Sequence, residues 1–224
     1  MGRLGGVDGS MSHCVEQKEH AMYRILYILI IVGVGSHLAG QTAAATPHRA
    51  LLEAAGFSVA EPAETAPAIA LDDHQGKPLA IQDQRGKVIL INFWATWCPP
   101  CIHEMPLMDQ LFLNMKGRPF SIWALNVQET QEDVGKFLQS RNFHFPVLLD
   151  LEGKAMGNYQ VRGLPSTYLI DCAGNLIGSI TGVLPWTDHA MQQLLEALFQ
   201  DAACQAKTAS ATPVQPGTLP ATRP

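Results

Sequence analysis

The chain has 224 residues, 47% of them hydrophobic and 16% charged, with a formal net charge of −5. That apolar share excludes a wholly disordered protein, and an acidic balance without a basic stripe argues against a nucleic-acid binder. Five cysteines (Cys14, Cys98, Cys101, Cys172 and Cys204) are too few for a disulfide scaffold, so the core must come from apolar burial.

Residues 1–45 read as a secretory signal or membrane anchor. Arg24 precedes an unbroken apolar run, Ile25 to Val34, and small residues follow through Ala45. The run is shorter than the roughly 20 apolar residues that span a bilayer comfortably, which favours cleavage over retention. Asp8, Glu16 and Glu19 spoil the basic start of a signal, so translation is expected to begin at Met22, which would remove Cys14. Gln41 stands where a lipidated cysteine would be, so lipidation is not expected. Residues 46–67, rich in Ala, Pro, Thr and Glu, read as a linker, and 201–224 as a disordered tail. That leaves 68–200 as the globular domain.

Within it, two short alternating runs, 68–71 and 79–81, flank a Gly-containing turn and predict a hairpin. Residues 88–94 are almost continuously apolar, as in a strand buried on both faces. A helix is predicted over 98–115, a strand over 120–127, a helix over 131–140, an extended segment over 145–150 and a short helix over 153–159. Runs 166–171 and 176–181 flank Gly174-Asn175 and predict a second hairpin. Ala190, Met191, Leu194, Leu195, Leu198 and Phe199 recur at helical spacing and predict a last helix over 186–199. Alternating strands and helices closed by a hairpin give an α/β fold, with a mixed central sheet flanked by helices.

The chemistry concentrates in Trp97-Cys98-Pro99-Pro100-Cys101, between a buried strand and a helix. This places Cys98 near a helix N-cap, where backbone N–H groups lack partners and the helix dipole favours negative charge. Pro99 suits the first helical position. Cys98 is therefore expected as the reactive thiolate. Cys101 lies on the same face of the first turn and is placed to close a disulfide with it. A zinc site is not expected: there is no second C-x-x-C, and His103 is the only nearby ligand candidate, at the wrong offset. Trp94 is expected mostly in the core and Trp97 partly exposed next to Cys98. His103 is expected as a solvated helix residue, and His144 and Trp186 as structural residues.

Phe93 to Cys101, with Glu104-Met105-Pro106 after it, resembles the active-site signature of the TlpA/ResA-like thioredoxin family of extracytoplasmic thiol–disulfide oxidoreductases. Val161 to Asp171 resembles the family's second signature. The resemblance covers 68–200 and implies a thioredoxin fold with an N-terminal β-hairpin extension. It makes Cys98 the attacking and Cys101 the resolving cysteine, and it makes Pro165 a cis-proline beside them. Trp97, Pro99, Pro100, Leu164 and Pro165 become the expected substrate-binding residues. No cofactor is implied, and the family's cis-proline keeps metal from the cysteines. Glu104 matches an acidic residue of the family; one turn beyond Cys101, a partly buried carboxyl there would be suited to exchange protons with that cysteine, the other reading being a solvated first-turn Glu that complements the helix dipole. Asn92 stands where thioredoxins carry a buried Asp, and Asn cannot carry a proton, which leaves Glu104 as the acid/base.

A strand leaving the turn at Cys172 covers about 20 Å at roughly 3.3 Å per residue, and the last helix returns by about 21 Å at 1.5 Å per residue. Cys204 thus comes back within reach of Cys172, and a structural Cys172–Cys204 disulfide is expected. The whole reads as a monomeric periplasmic thiol–disulfide oxidoreductase, soluble after cleavage or anchored to the inner membrane near 25–40. It would reduce exported proteins, candidate targets by resemblance being apocytochrome c or oxidase copper-site thiols. A membrane thiol donor would re-reduce the pair. The rival readings are a disulfide-forming oxidase or isomerase, and a non-enzymatic binding or chaperone module. Peroxidase chemistry is a weaker reading, because the chain has no Thr-x-x-Cys pattern.

Overall fold

The computed structural model describes residues 48–210, with side chains through 206. The apolar run 25–34, the start at Met22 and Cys14 lie outside the described residues, as does the tail beyond 210. Among the described residues no helix is long and apolar enough to cross a membrane.

The described chain opens with α1 (Arg49–Ala54) and β1 (Ser58–Thr65). The hairpin β2 (Ala70–Asp72) and β3 (Pro78–Ala80) follows as a separate two-stranded sheet. At the centre of the main sheet β4 (Val88–Trp94) runs parallel to β5 (Phe120–Val127), which runs parallel to β6 (Val147–Asp150). Every residue of these three strands is buried, so both faces of this region are covered, as their apolar sequences require. Helix α2 (Pro99–Asn114) joins β4 to β5, and α3 (Gln131–Leu138) joins β5 to β6. Thr130 caps α3 by accepting from the Asp133 amide. After α4 (Lys154–Asn158) the chain returns as the antiparallel hairpin β7 (Ser166–Ile170) and β8 (Asn175–Thr181), with β7 against β4. The six strands of the mixed sheet stand in the order β1-β8-β7-β4-β5-β6. Asp188 caps α5 (His189–Phe199), which buries Met191, Leu194, Leu195, Leu198 and Phe199. The architecture is the expected α/β class.

Two stretches depart from the sequence reading. Residues 46–67 are not simply a linker. They contain α1, whose Leu52 is buried, and β1, which pairs antiparallel with β8. Leu52, Ala55 and Phe57 join the core. β1 is an edge strand with mostly exposed side chains, so it carries no apolar alternation, and an edge tolerates Pro62. At the other end, 201–210 is not a structureless tail. The chain continues as α6 (Ala202–Ser210), and Cys204 is buried.

Cys204 is bonded to Cys172, with their Cα atoms 5.1 Å apart, so the bridge fastens α6 to the turn of the β7–β8 hairpin. It encloses a separation of 32 residues. A loop of that length constrains the unfolded chain by about 4 kcal/mol in the chain-entropy model. Replacing both cysteines with Ala is therefore expected to lower unfolding free energy by about 2–5 kcal/mol in denaturant titrations. A loss under about 0.5 kcal/mol would show that α6 is held by packing alone.

Candidate active site

Cys98 is the N-cap of α2, and Pro99 and Pro100 occupy its first turn, where a missing N–H costs nothing. No acidic side chain lies in that turn to oppose the helix dipole. Cys98 and Cys101 are bonded to each other, with Cα atoms 5.4 Å apart, so the pair is in its oxidised form. Both are buried against the core. Trp97 beside them is 68% exposed, whereas Trp94 is wholly buried. His103 is exposed, and His144 pairs with Asp109 on the surface.

Glu104 lies one turn beyond Cys101 on the same helix and is fully buried. Three donors converge on its carboxylate. Asn92 Nδ2 reaches Oε1 at 2.8 Å, Trp186 Nε1 reaches Oε2 at 2.8 Å, and the Leu184 amide reaches Oε2 at 3.4 Å. Burial pushes the carboxyl above the ordinary range, and the hydrogen bonds from Trp186, Asn92 and Leu184 pull it partly back, leaving it raised. Asn92 also donates to Thr167 Oγ1 at 3.0 Å, while its own Oδ1 is buried without a hydrogen-bond partner. Trp186, read from the sequence as purely structural, is thus a direct partner of Glu104. Nothing in its local sequence signals this, because the contact spans 82 residues.

The peptide bond between Leu164 and Pro165 is cis. Pro165 is buried, and its carbonyl accepts from the Gly182 amide at 2.8 Å. A groove of about 690 Å³ opens over Cys98. Trp97, Cys98, Pro99 and Pro100 line it together with Val127, Gln128, Met156 and the Arg162–Leu164 turn. Of the five residues expected to bind substrate, Trp97, Pro99, Pro100 and Leu164 line this groove, and Pro165 lies outside its lining. Gln128, Met156 and Arg162 line it too, and no motif in the sequence marks them. Gln128 takes a left-handed φ of +57°, and Gly153 at φ +69° leaves room for its side chain.

These features agree with what the chain is similar to. The AhpC/TSA family matches residues 62–178. The thiol–disulfide oxidoreductase ResA of a Bacillus cereus strain is 31% identical over 166 residues, covering 74% of this chain and 90% of that protein. ResA of Geobacillus thermodenitrificans is 37% identical over 134 residues, covering 60% of this chain and 76% of the relative. Among solved structures, a thiol:disulfide interchange protein DsbE from Chlorobium tepidum superposes with a TM-score of 0.56 at 32% identity, covering 61% of this chain and 96% of that one. The fold is that of thioredoxin, and the chain belongs to the TlpA/ResA-like thiol–disulfide oxidoreductases within the AhpC/TSA family.

Proposed function

We propose that this oxidoreductase works outside the cytoplasm as a reductant of disulfides in exported proteins. The thiolate of Cys98 attacks one sulfur of a substrate disulfide; the substrate's other sulfur leaves as a thiolate and takes up a proton. Glu104 accepts the proton of Cys101, whose thiolate attacks Cys98 Sγ, releasing the second substrate thiol and closing the Cys98–Cys101 bridge. A thiol donor at the membrane then reduces the bridge. Cytochrome c or oxidase maturation is the proposed setting.

The observation that carries the reading is the Cys98–Cys101 pair at an unopposed helix N-terminus, beneath an open groove and one turn from a buried carboxyl. The apolar run after Arg24 and the second disulfide, Cys172–Cys204, support the location, because structural disulfides persist in oxidising compartments. The test is the reduction potential of the Cys98/Cys101 pair, measured by equilibration with a thiol buffer. A value near about −270 mV is expected for a reductant. One near about −120 mV would overturn this direction in favour of disulfide formation. In intact cells, labelling of the pair by a membrane-impermeant thiol reagent is expected, and protection from it would overturn the location.

A further inference from the structure

The thiol exchange leaves one carboxylate near the cysteines without a role. Glu129 follows β5, and its side chain reaches back to the loop that carries the cysteine motif. Its Oε2 accepts from the backbone N–H of Thr96 at 2.7 Å and from Asn126 Nδ2 at 2.6 Å. Its Oε1 accepts a short hydrogen bond from the Thr96 hydroxyl. The topology explains the meeting. Trp94 and Asn126 are register partners at the C-terminal ends of the parallel strands β4 and β5, so the segments leaving those ends begin side by side. Gln128, at φ +57°, turns the chain sharply there, in a conformation few non-glycine residues adopt, and its amide is held by the Asp150 carbonyl at 3.0 Å.

The two segments joined in this way share a task. Thr96 stands two residues before Cys98, and the Cys98 amide donates to the Ala95 carbonyl at 3.1 Å, so Thr96 lies inside the turn that presents Trp97 and Cys98. Val127 and Gln128 immediately precede Glu129. Trp97, Cys98, Val127 and Gln128 all line the groove, and Glu129 does not.

We propose that Glu129 is a positioning residue: by bonding Thr96 and Asn126 together it holds the Trp97–Cys98 turn at a fixed spacing from the Val127–Gln128 strand end, and so fits the groove to an extended polypeptide. This rests on the reading that the groove receives the substrate. A small disulfide needs only the cysteine, so it is indifferent to the spacing; a polypeptide that must contact both segments is not. The role needs shape rather than charge. A Gln at 129 can accept from the Thr96 amide and Asn126 through its oxygen and donate to the Thr96 hydroxyl through its nitrogen. Ala can do neither.

The experiment compares wild type, Glu129→Ala and Glu129→Gln with two substrates: insulin, a disulfide-linked polypeptide, and the small disulfide 5,5′-dithiobis(2-nitrobenzoate). For Glu129→Ala we expect KM for insulin to rise about tenfold, with kcat and the small-disulfide rate within about twofold of wild type. For Glu129→Gln we expect both substrates to stay within about twofold of wild type. Equal losses on both substrates, an unchanged insulin KM, or a Gln variant as impaired as the Ala variant would each overturn the proposal. If Glu129→Ala does not fold, Thr96→Val, which deletes only the hydroxyl bond, is expected to raise the insulin KM and spare the small disulfide; an unchanged KM there overturns it. Trp97→Ala separates this proposal from its premise. If the groove receives polypeptide, that variant raises the insulin KM whatever Glu129 does; if it does not, the reading of the groove fails with it.

Discussion

Cys98→Ser is expected to reduce the rate of disulfide reduction by about three orders of magnitude or more, whereas Cys101→Ser is expected to stop the reaction one step later. The asymmetry follows from position. Cys98 is the N-cap residue under the open groove, and Cys101 lies within the first turn, fully buried. A substrate disulfide entering the groove would meet Cys98. With Cys101 replaced, the Cys98–substrate mixed disulfide has no internal thiol to release it and accumulates. Intact-mass measurement of the Cys101→Ser protein after incubation with a disulfide substrate should show a covalent adduct that a reductant removes, and the Cys98→Ser protein should show none. An adduct on the Cys98→Ser protein instead would reverse the two roles. Single turnover followed by acid quenching sharpens the test, because it traps the adduct before slow exchange with free thiols redistributes it.

Why the pair is legible in the sequence, and its neighbours are not, comes down to the range of the signals. Strands β4 and β5 announce themselves through nearly continuous apolar runs, and the start of α2 through a cysteine followed by two prolines; all of this is local. The Cys172–Cys204 pairing is reachable because a strand and a helix of similar length run out and back between the two residues. The edge strand β1 is not legible, because a mostly exposed strand with a proline in it has the composition of a tether. Trp186 and Glu129 escape for another reason. Their contacts, with Glu104 82 residues away and with Thr96 33 residues away, exist only once the sheet order is set. Asn92 shows in the sequence only what it lacks, a proton to exchange. Its positive role, donating at once to Glu104 and Thr167 from β4, depends on β7 lying beside that strand, with Asn92 opposite Thr167.

Glu104→Gln is expected to slow the step in which Cys101 resolves the mixed disulfide by about a hundredfold, a usual size for the loss of a proton acceptor. It should also change the pH dependence. In the wild type the resolving step should speed up as pH rises through the raised titration of Glu104, since in the proposed step only the carboxylate can take the Cys101 proton. In the variant that rise should vanish and reappear only at the higher pH where the buried Cys101 thiol ionises unaided. Folding is expected to survive the change because of Asn92. Its buried Oδ1 has no hydrogen-bond partner, so turning its amide over offers an acceptor to the Gln nitrogen while the Gln oxygen keeps the Trp186 indole N–H. The same turn serves a protonated Glu104, whose O–H otherwise faces only the donors of Asn92, Trp186 and Leu184. Stability supplies an independent check with a definite sign. A carboxyl whose titration is raised by folding holds more protons in the native than in the unfolded state across the interval between its two values. Native stability contributed by Glu104 is therefore greatest below its unfolded value of about 4.5 and falls as pH rises through the raised native value. Denaturant titrations of the oxidised proteins should show the wild type losing stability relative to Glu104→Gln across that interval. A constant difference between the two from about pH 4 to about pH 8 would mean that Glu104 binds the same number of protons in the native and unfolded states, so folding does not raise its titration and a rise of the resolving step with pH could not be assigned to it.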